Sequence, residues 1–218
     1  MGTYKINTKN RVTRIPERGH YDKATVYKIL DNAFVGHVGF VIDGQPFVIP
    51  MAYGRKGDNI YLHGATTSRL MRQLGEGILA CLTVTHLDGI VLARSTFHSS
   101  MNYRSAVILG QAKIVENDRK IDCLKVITNN ILKGRWEEAR LPNKNELKAT
   151  TVLELKIDQA SAKIRTGPPT DDKEDYDLDI WAGVLPMVTK TLSPDPDPDL
   201  KNEIPLPASL MGLLNEDS

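Results

Sequence analysis

Tyr61-Leu62-His63-Gly64-Ala65-Thr66-Thr67-Ser68-Arg69 is the stretch on which the reading of this chain rests. Its first residues continue an apolar pattern set by Phe47, Val48 and Ile49 and then by Ile60, Tyr61 and Leu62, the periodicity of a buried strand pair. The rest is a polar turn that feeds a helix over residues 68–74. A helix start leaves backbone N–H groups without intrahelical acceptors and carries partial positive charge. Two threonines, a serine and an arginine gathered there predict a seat for a phosphate-like anion.

Working outward, strand-like runs cover residues 34–42, 46–53 and 59–63, joined by Asp43-Gly44 and by a turn at 56–58. Asp-Gly between apolar runs marks a tight hairpin. Further strands are expected at 78–86, 89–94, 105–115 and 151–157. Asp22 can cap a helix whose inward stripe is Val26, Ile29, Leu30 and Ala33. A second amphipathic helix runs from Asp118 to Gly134 with Ile121, Leu124, Val126, Ile127 and Ile131, and a helical turn is expected at 145–149. Hairpins rather than βαβ crossovers link the early strands. The fold class is therefore mainly β (α+β), a small antiparallel barrel decorated by helices.

Residues 1–14 read as a polar, basic arm and 15–188 as the folded domain. Residues 189–218 form a tail marked by Ser193-Pro194-Asp195-Pro196-Asp197-Pro198-Asp199, which cannot join a sheet. Its apolar anchors need a surface, on the body or on a partner subunit, unless the tail is simply disordered.

The 218 residues are 41% apolar with a net charge of +1, which supports a core and gives no reason to expect nucleic acid or a charged membrane. Cys81 and Cys123 stand alone in apolar stretches, so a reducing cytoplasm is the default. No apolar run approaches the ~20 residues of a membrane span. His37, His86 and His98 lack metal-ligand spacing, and no metal site is expected.

Arg69 is the sharpest candidate: a solvated helix arginine is the plain alternative, but Thr66, Thr67 and Ser68 beside it favour an anion site. His63, at the strand end, is either a structural hydrogen-bonder or a group facing chemistry. Residues 95–105 form a hydroxyl-rich stretch between apolar strands, read as a solvated loop or as a pocket wall offering Arg104 or Ser105. His98 beside Ser99 and Ser100 lacks a Gly-x-Ser-x-Gly elbow and a third member, which disfavours a hydrolase. No Gly-x-Gly-x-x-Gly or Walker A loop is present, so a flavin held by a barrel is preferred to a Rossmann-bound nicotinamide.

Several motifs in one order then resemble a known family. They are Arg18-Gly19-x-Tyr21-Asp22, His37-Val38-Gly39-Phe40, Pro46-Phe47-Val48-Ile49-Pro50, Tyr61-Leu62-His63-Gly64-x-x-x-Ser68-Arg69 and Asn102-Tyr103-Arg104-Ser105. Ser161-Ala162-Lys163-x-Arg165-x-Gly167-Pro168-Pro169 and Trp181-Ala182-Gly183-Val184 complete the series. Over residues 15–188 the chain resembles the pyridoxamine 5′-phosphate oxidase-like flavoproteins, and most closely the branch with the nitroimidazole-resistance (Nim-type) reductases.

The resemblance implies a split β-barrel homodimer with FMN at the subunit interface. It places Ile49, Pro50 and Met51 along the flavin ring, Ser68 and Arg69 at the phosphate, Gly64, Thr67, Arg104 and Ser105 among the remaining cofactor contacts, and Lys163 where an aromatic residue of the partner subunit meets the flavin in the oxidases. His63 becomes the ring-side or substrate-side group and the candidate catalytic residue. Leu70 replaces the oxidases' lysine, and their C-terminal arginine and histidine motif is not recognisable, which argues against vitamin B6 oxidation. The expected activity is FMN-dependent reduction of a small nitroaromatic- or quinone-like acceptor with electrons from a nicotinamide. The alternative is a barrel that holds flavin or haem without turnover.

Overall fold

A computed structural model describes residues 2–201 and 204–216. Among the described residues there are nine strands: β1 (Gly19–His20), β2 (Val35–Ile42), β3 (Gln45–Lys56), β4 (Asn59–Ala65), β5 (Leu79–Leu92), β6 (Ser100–Ile114), β7 (Thr150–Lys156), β8 (Gln159–Arg165) and β9 (Gly183–Pro186). The helices are α1 (Lys23–Asp31), α2 (Arg69–Gly75), α3 (Lys120–Ile131), α4 (Arg135–Glu138), α5 (Lys144–Ala149) and α6 (Ala208–Glu216). All strand pairings are antiparallel.

The sheet runs β1-β8-β6-β7-β4-β3-β2-β5-β9, and an added β5–β6 pairing closes six of these strands into a ring. Two seams of that ring are short. β3 meets β4 only from Tyr53 to Lys56, and β6 meets β7 only from Ala112 to Ile114. Elsewhere β3 pairs with β2 and β6 pairs with β5 and β8. The result is the expected antiparallel split barrel.

Local chemistry explains the corners. Asp43 and Gly44 both adopt left-handed φ, 50° and 78°, as a two-residue hairpin turn demands. The residues read as separate strands at 78–86 and 89–94 form one strand, β5, with a register shift between Leu87 and Gly89. That bulge turns the strand without ending it. The polar stretch 95–105 is likewise partly strand, since β6 begins at Ser100.

Val26, Ile29 and Leu30 of α1 and Leu70, Met71 and Leu74 of α2 enter the main core with Val38, Leu62, Leu82 and Ile108. α3 lies outside the barrel, where Cys123 and Ile127 bury Tyr61 and Val152. Its backbone lies so close to β3 that a Cβ on Gly54 would stand 2.7 Å from Ile127 N and Cα.

The termini are tied down. Tyr4 is buried in the core, its amide donates to the Tyr21 carbonyl at 2.9 Å, and its hydroxyl donates to Asp58 at 2.8 Å. Asn10 is buried and donates to the Ala160 carbonyl. At the other end β9 pairs with β5, and Glu138 accepts from the amide and hydroxyl of Ser209 at the start of α6. No described helix is long and apolar enough to cross a membrane.

Candidate functional site

The short β3–β4 seam creates the site. A proline has no N–H to give a ladder, so Pro46 and Pro50 must point their backbones away from β2. The amide of Tyr53, of the opposite parity, donates to Phe34 on the β2 side at 3.1 Å and fixes the alternation. Hence the carbonyls of Pro46, Val48 and Pro50 and the N–H of Val48 face the gap. Of the three residues expected along a ring, Pro50 offers its carbonyl there. Ile49 and Met51 direct their backbones to β2 and pack their half-buried side chains against the main core.

The turn after β4 closes one end of this gap. Thr66 N–H donates to the Ala149 carbonyl and Ser68 N–H to the Ala65 carbonyl, both at 2.9 Å. Thr67 is exposed at the crest. Ser68 is the N-cap of α2, and its carbonyl accepts from Arg72 at 3.1 Å. Its side chain makes no capping hydrogen bond, which leaves the hydroxyl free of that role. Gly64 permits the close approach of α2, because a Cβ there would stand 2.8 Å from Met71 Cγ.

Arg69 is exposed and has no carboxylate partner among the described residues. Its guanidinium carbon instead lies 4.7 Å from the Phe47 ring centroid. This cation–π contact holds the positive charge over β3, beside the unpaired edge. Phe47 also stacks on Phe40 at 5.5 Å and lines an apolar groove of about 500 Å³ with Val48, Leu79 and Cys81. Gln159 belongs to the same wall, and its buried Oε1 has no partner among the described residues.

His63 pairs across β4–β7 with Val152, so it shares the Tyr61 and Val152 face of β4 while Gly64 faces Met71. Burial lowers its pKa and keeps the imidazole neutral near pH 7. Nδ1 is buried without a hydrogen-bond partner among the described residues. An imidazole with an uncommitted ring nitrogen suits a ligand or a proton, not a structural tie.

Arg104, Ser105 and Lys163 form a second group in the β6–β8 register, with Arg104 on the opposite sheet face from the other two. Ser105 pairs with Lys163 and its hydroxyl donates to the Lys163 carbonyl at 3.3 Å. Lys163 Nζ donates to the Arg14 carbonyl at 3.0 Å. Arg104 is bidentate on Asp88, with contacts of 2.8 and 2.9 Å, and its hydrogen bond pulls the Asp88 carboxyl below its usual range. With Arg104 and Asp88, the residues Phe34, Val35, His86 and Met187 line a cavity of about 630 Å³.

Within one chain the two groups stand apart. Phe47, under Arg69, pairs with Phe40, Phe40 with Ala80, and Ala80 with Gly110. Arg104 is six residues back along β6, ~20 Å at strand rise. The Phe47 contact and the open amide of Val48 were not expected from sequence, although prolines at alternate positions 46 and 50 carry the signal for the second.

The donor set fits a flavin nucleotide. It combines a serine hydroxyl that caps no helix N–H, an arginine with no carboxylate partner among the described residues, an edge with exposed carbonyls and an amide, and apolar side chains beneath. Comparisons agree. The chain is 38% identical to the flavocytochrome Anf3 from Azotobacter vinelandii, with 95% of this chain and 97% of that one covered at a TM-score of 0.89. It is also 38% identical to an FAD and haem binding protein from Mycobacterium smegmatis, covering 90% and 97% at a TM-score of 0.87. A protein from Bacteroides thetaiotaomicron described as a 5-nitroimidazole antibiotic resistance protein shares the fold, at 23% identity over 66% of this chain and 84% of that one, TM-score 0.56. No curated protein matches the chain. The family model for pyridoxamine 5′-phosphate oxidase matches residues 22–164, and the chain belongs to that family.

Proposed function

We propose that this protein is a flavin-dependent oxidoreductase, active as a homodimer, that takes electrons from a reduced nicotinamide and delivers them to a small acceptor of nitroaromatic or quinone type. The observation that carries the reading is the unpaired edge of β3 beside Ser68 and Arg69. It supplies hydrogen-bonding groups and an uncompensated cation where a barrel would otherwise close.

Ser68 and Arg69 hold the flavin phosphate, the part common to FMN and its dinucleotide. The Pro50 carbonyl and Val48 N–H meet the polar rim of the ring, and Ile49 and Met51 support it from the core side. When bound, the flavin supplies the electron transfer that no side chain here provides. The full-length likeness to two proteins whose descriptions name a flavocytochrome and FAD with haem supports flavin and adds haem as a second group. His63, neutral and with a free ring nitrogen, is the residue we assign to iron or to the substrate.

The homodimer is supported by the outer sheet face, where Val41, Val48 and Leu79 are 55%, 66% and 68% exposed. Single exposed apolar residues are common, but a contiguous group on one face marks an interface. A second copy also offers the means to bring Arg104, Ser105 and Lys163 to the Arg69 end.

An absorbance spectrum of the purified protein tests the assignment. Flavin bands bleached by NADH or NADPH and restored by an acceptor are expected. Bands that no donor bleaches would make the protein a carrier, and a colourless protein that takes up neither FMN nor FAD would overturn the flavin reading.

A further inference from the structure

Arg165, at the end of β8, is only 6% exposed, yet no carboxylate pairs with it among the described residues. Its guanidinium donates to Asn102 Oδ1 and, at the long distance of 3.5 Å, to the Pro168 carbonyl. Both acceptors are uncharged. Burial lowers its pKa, and the neighbouring Arg18 guanidinium acts in the same direction. Asp171 shows the contrast. It is 7% exposed, but its carboxylate accepts from the Arg94 guanidinium and from the amides of Arg94 and Ser95.

A buried cation without a counter-charge is costly, and further cationic residues stand at this end of β8. β1 pairs with β8, so Arg18 comes beside the strand just before the Gly19–Lys163 pair. Arg14 reaches the same place through the contact of its carbonyl with Lys163. Alternation along β8 sets Arg165 on the face of Lys163, one pair further along at ~7 Å. Arg165 lies opposite Tyr103 as Lys163 lies opposite Ser105. Asn102 Nδ2 donates to the Gly167 carbonyl at 3.1 Å and holds the following segment over the site.

We propose that Arg165 and Arg18 form a second oxyanion seat, distinct from Ser68 and Arg69, for an acidic group of the bound redox cofactor. That group is the distal phosphate of a flavin dinucleotide or a haem propionate. The identity of the ligand rests on the flavin and haem reading, whereas the anion site itself rests on the unpaired buried arginine.

The test compares the wild type with Arg165→Gln and Arg18→Gln. Apoprotein is titrated with FMN, FAD and haem, and the thermal midpoint is followed with inorganic pyrophosphate alone. A ten- to hundredfold loss of FAD affinity with FMN unchanged supports the dinucleotide arm. A similar loss for haem with both flavins unchanged supports the propionate arm. Pyrophosphate is expected to raise the wild-type midpoint and to lose that effect in Arg165→Gln. Should Arg165→Gln fail to fold, Arg18→Gln, on a half-buried surface turn, carries the same comparison. Unchanged affinities with a pyrophosphate response absent or equal in all proteins would overturn the proposal. Equal weakening of FMN and FAD would overturn it too, because both share the proximal phosphate. A wild type that binds no flavin or haem but responds to pyrophosphate through Arg165 would keep the anion seat and remove the redox reading.

Discussion

Arg69 rests on Phe47, guanidinium carbon to ring centroid 4.7 Å, and through that contact the turn after β4 is joined to the open edge of β3. Two segments that share no strand pairing at this point become one site. The arginine is placed before any anion arrives, and pre-placement reduces the ordering cost of binding.

Replacing Arg69 by alanine is therefore expected to weaken flavin binding ten- to hundredfold, from the ~1.5–3 kcal/mol attached to a hydrogen bond with a charged group. Because Arg69 is exposed, the unfolding free energy should move by no more than about 1 kcal/mol, the worth of its contact with Phe47. Titration of the apoprotein with FMN checks the first and urea unfolding the second. Unchanged affinity would remove the turn from the phosphate site.

Phe47→Leu should separate the two parts of the clamp. It keeps an apolar residue against the core but removes the ring beneath the guanidinium, a loss of ~0.5–1 kcal/mol for an exposed cation–π pair. Flavin affinity is expected to fall about two- to fivefold, less than in Arg69→Ala, as read by the same titration. An effect equal to that of Arg69→Ala would mean that Phe47 itself touches the ligand.

His63 gives a pH signature. Its folded pKa is depressed by burial, so below its ordinary value of 6.5 the unfolded chain takes up a proton that the folded chain resists. Stability from this group is complete above pH 6.5 and falls as pH drops from there toward the folded value. Asp58 and Asp88, also held below 3.8, lose their contributions only at more acid pH. Urea unfolding of apo His63→Gln between pH 5 and 7 should show a shallower loss than the wild type. Parallel curves would show that the imidazole is already solvated.

The glycines at two helix contacts should differ in cost. At Gly64 an added Cβ meets the flexible Met71 side chain, but at Gly54 it meets the α3 backbone at Val126 and Ile127. Gly64→Ala is expected to cost about 1 kcal/mol and Gly54→Ala about 3 kcal/mol or more, as overpacking against an immovable neighbour. Thermal melts of both decide it, and a reversed order would mean that α3 is free to shift.

The fold was legible where periodicity and turn chemistry act locally. Asp43-Gly44 announced its hairpin because two left-handed residues are needed there, and the stripe of Ile127 and its neighbours announced α3. β8 was not read as a strand: its inward residues Ala160 and Ala162 are too small to stand out against Gln159, Ser161 and Lys163. Tyr4 was assigned to a polar arm, since one aromatic in a charged run has no period, and only the fold brings it to Asp58. The serine and arginine of the clamp were visible in their local order. The Arg104–Asp88 pair depends on the bulged register of β5 and β6, and the solitary burial of Arg165 on Asn102, 63 residues earlier; neither was legible.

The most direct measurement is the absorbance spectrum of the purified protein, taken before and after addition of reduced nicotinamide under anaerobic conditions. Flavin bands that bleach with NADH or NADPH and return on adding a nitroaromatic or quinone acceptor are the expected result, with a Soret band joining them if haem is the second group. A protein that shows no flavin band, and gains none when soaked with FMN or FAD, would contradict the assignment of the β3 edge and the Ser68–Arg69 clamp to a flavin.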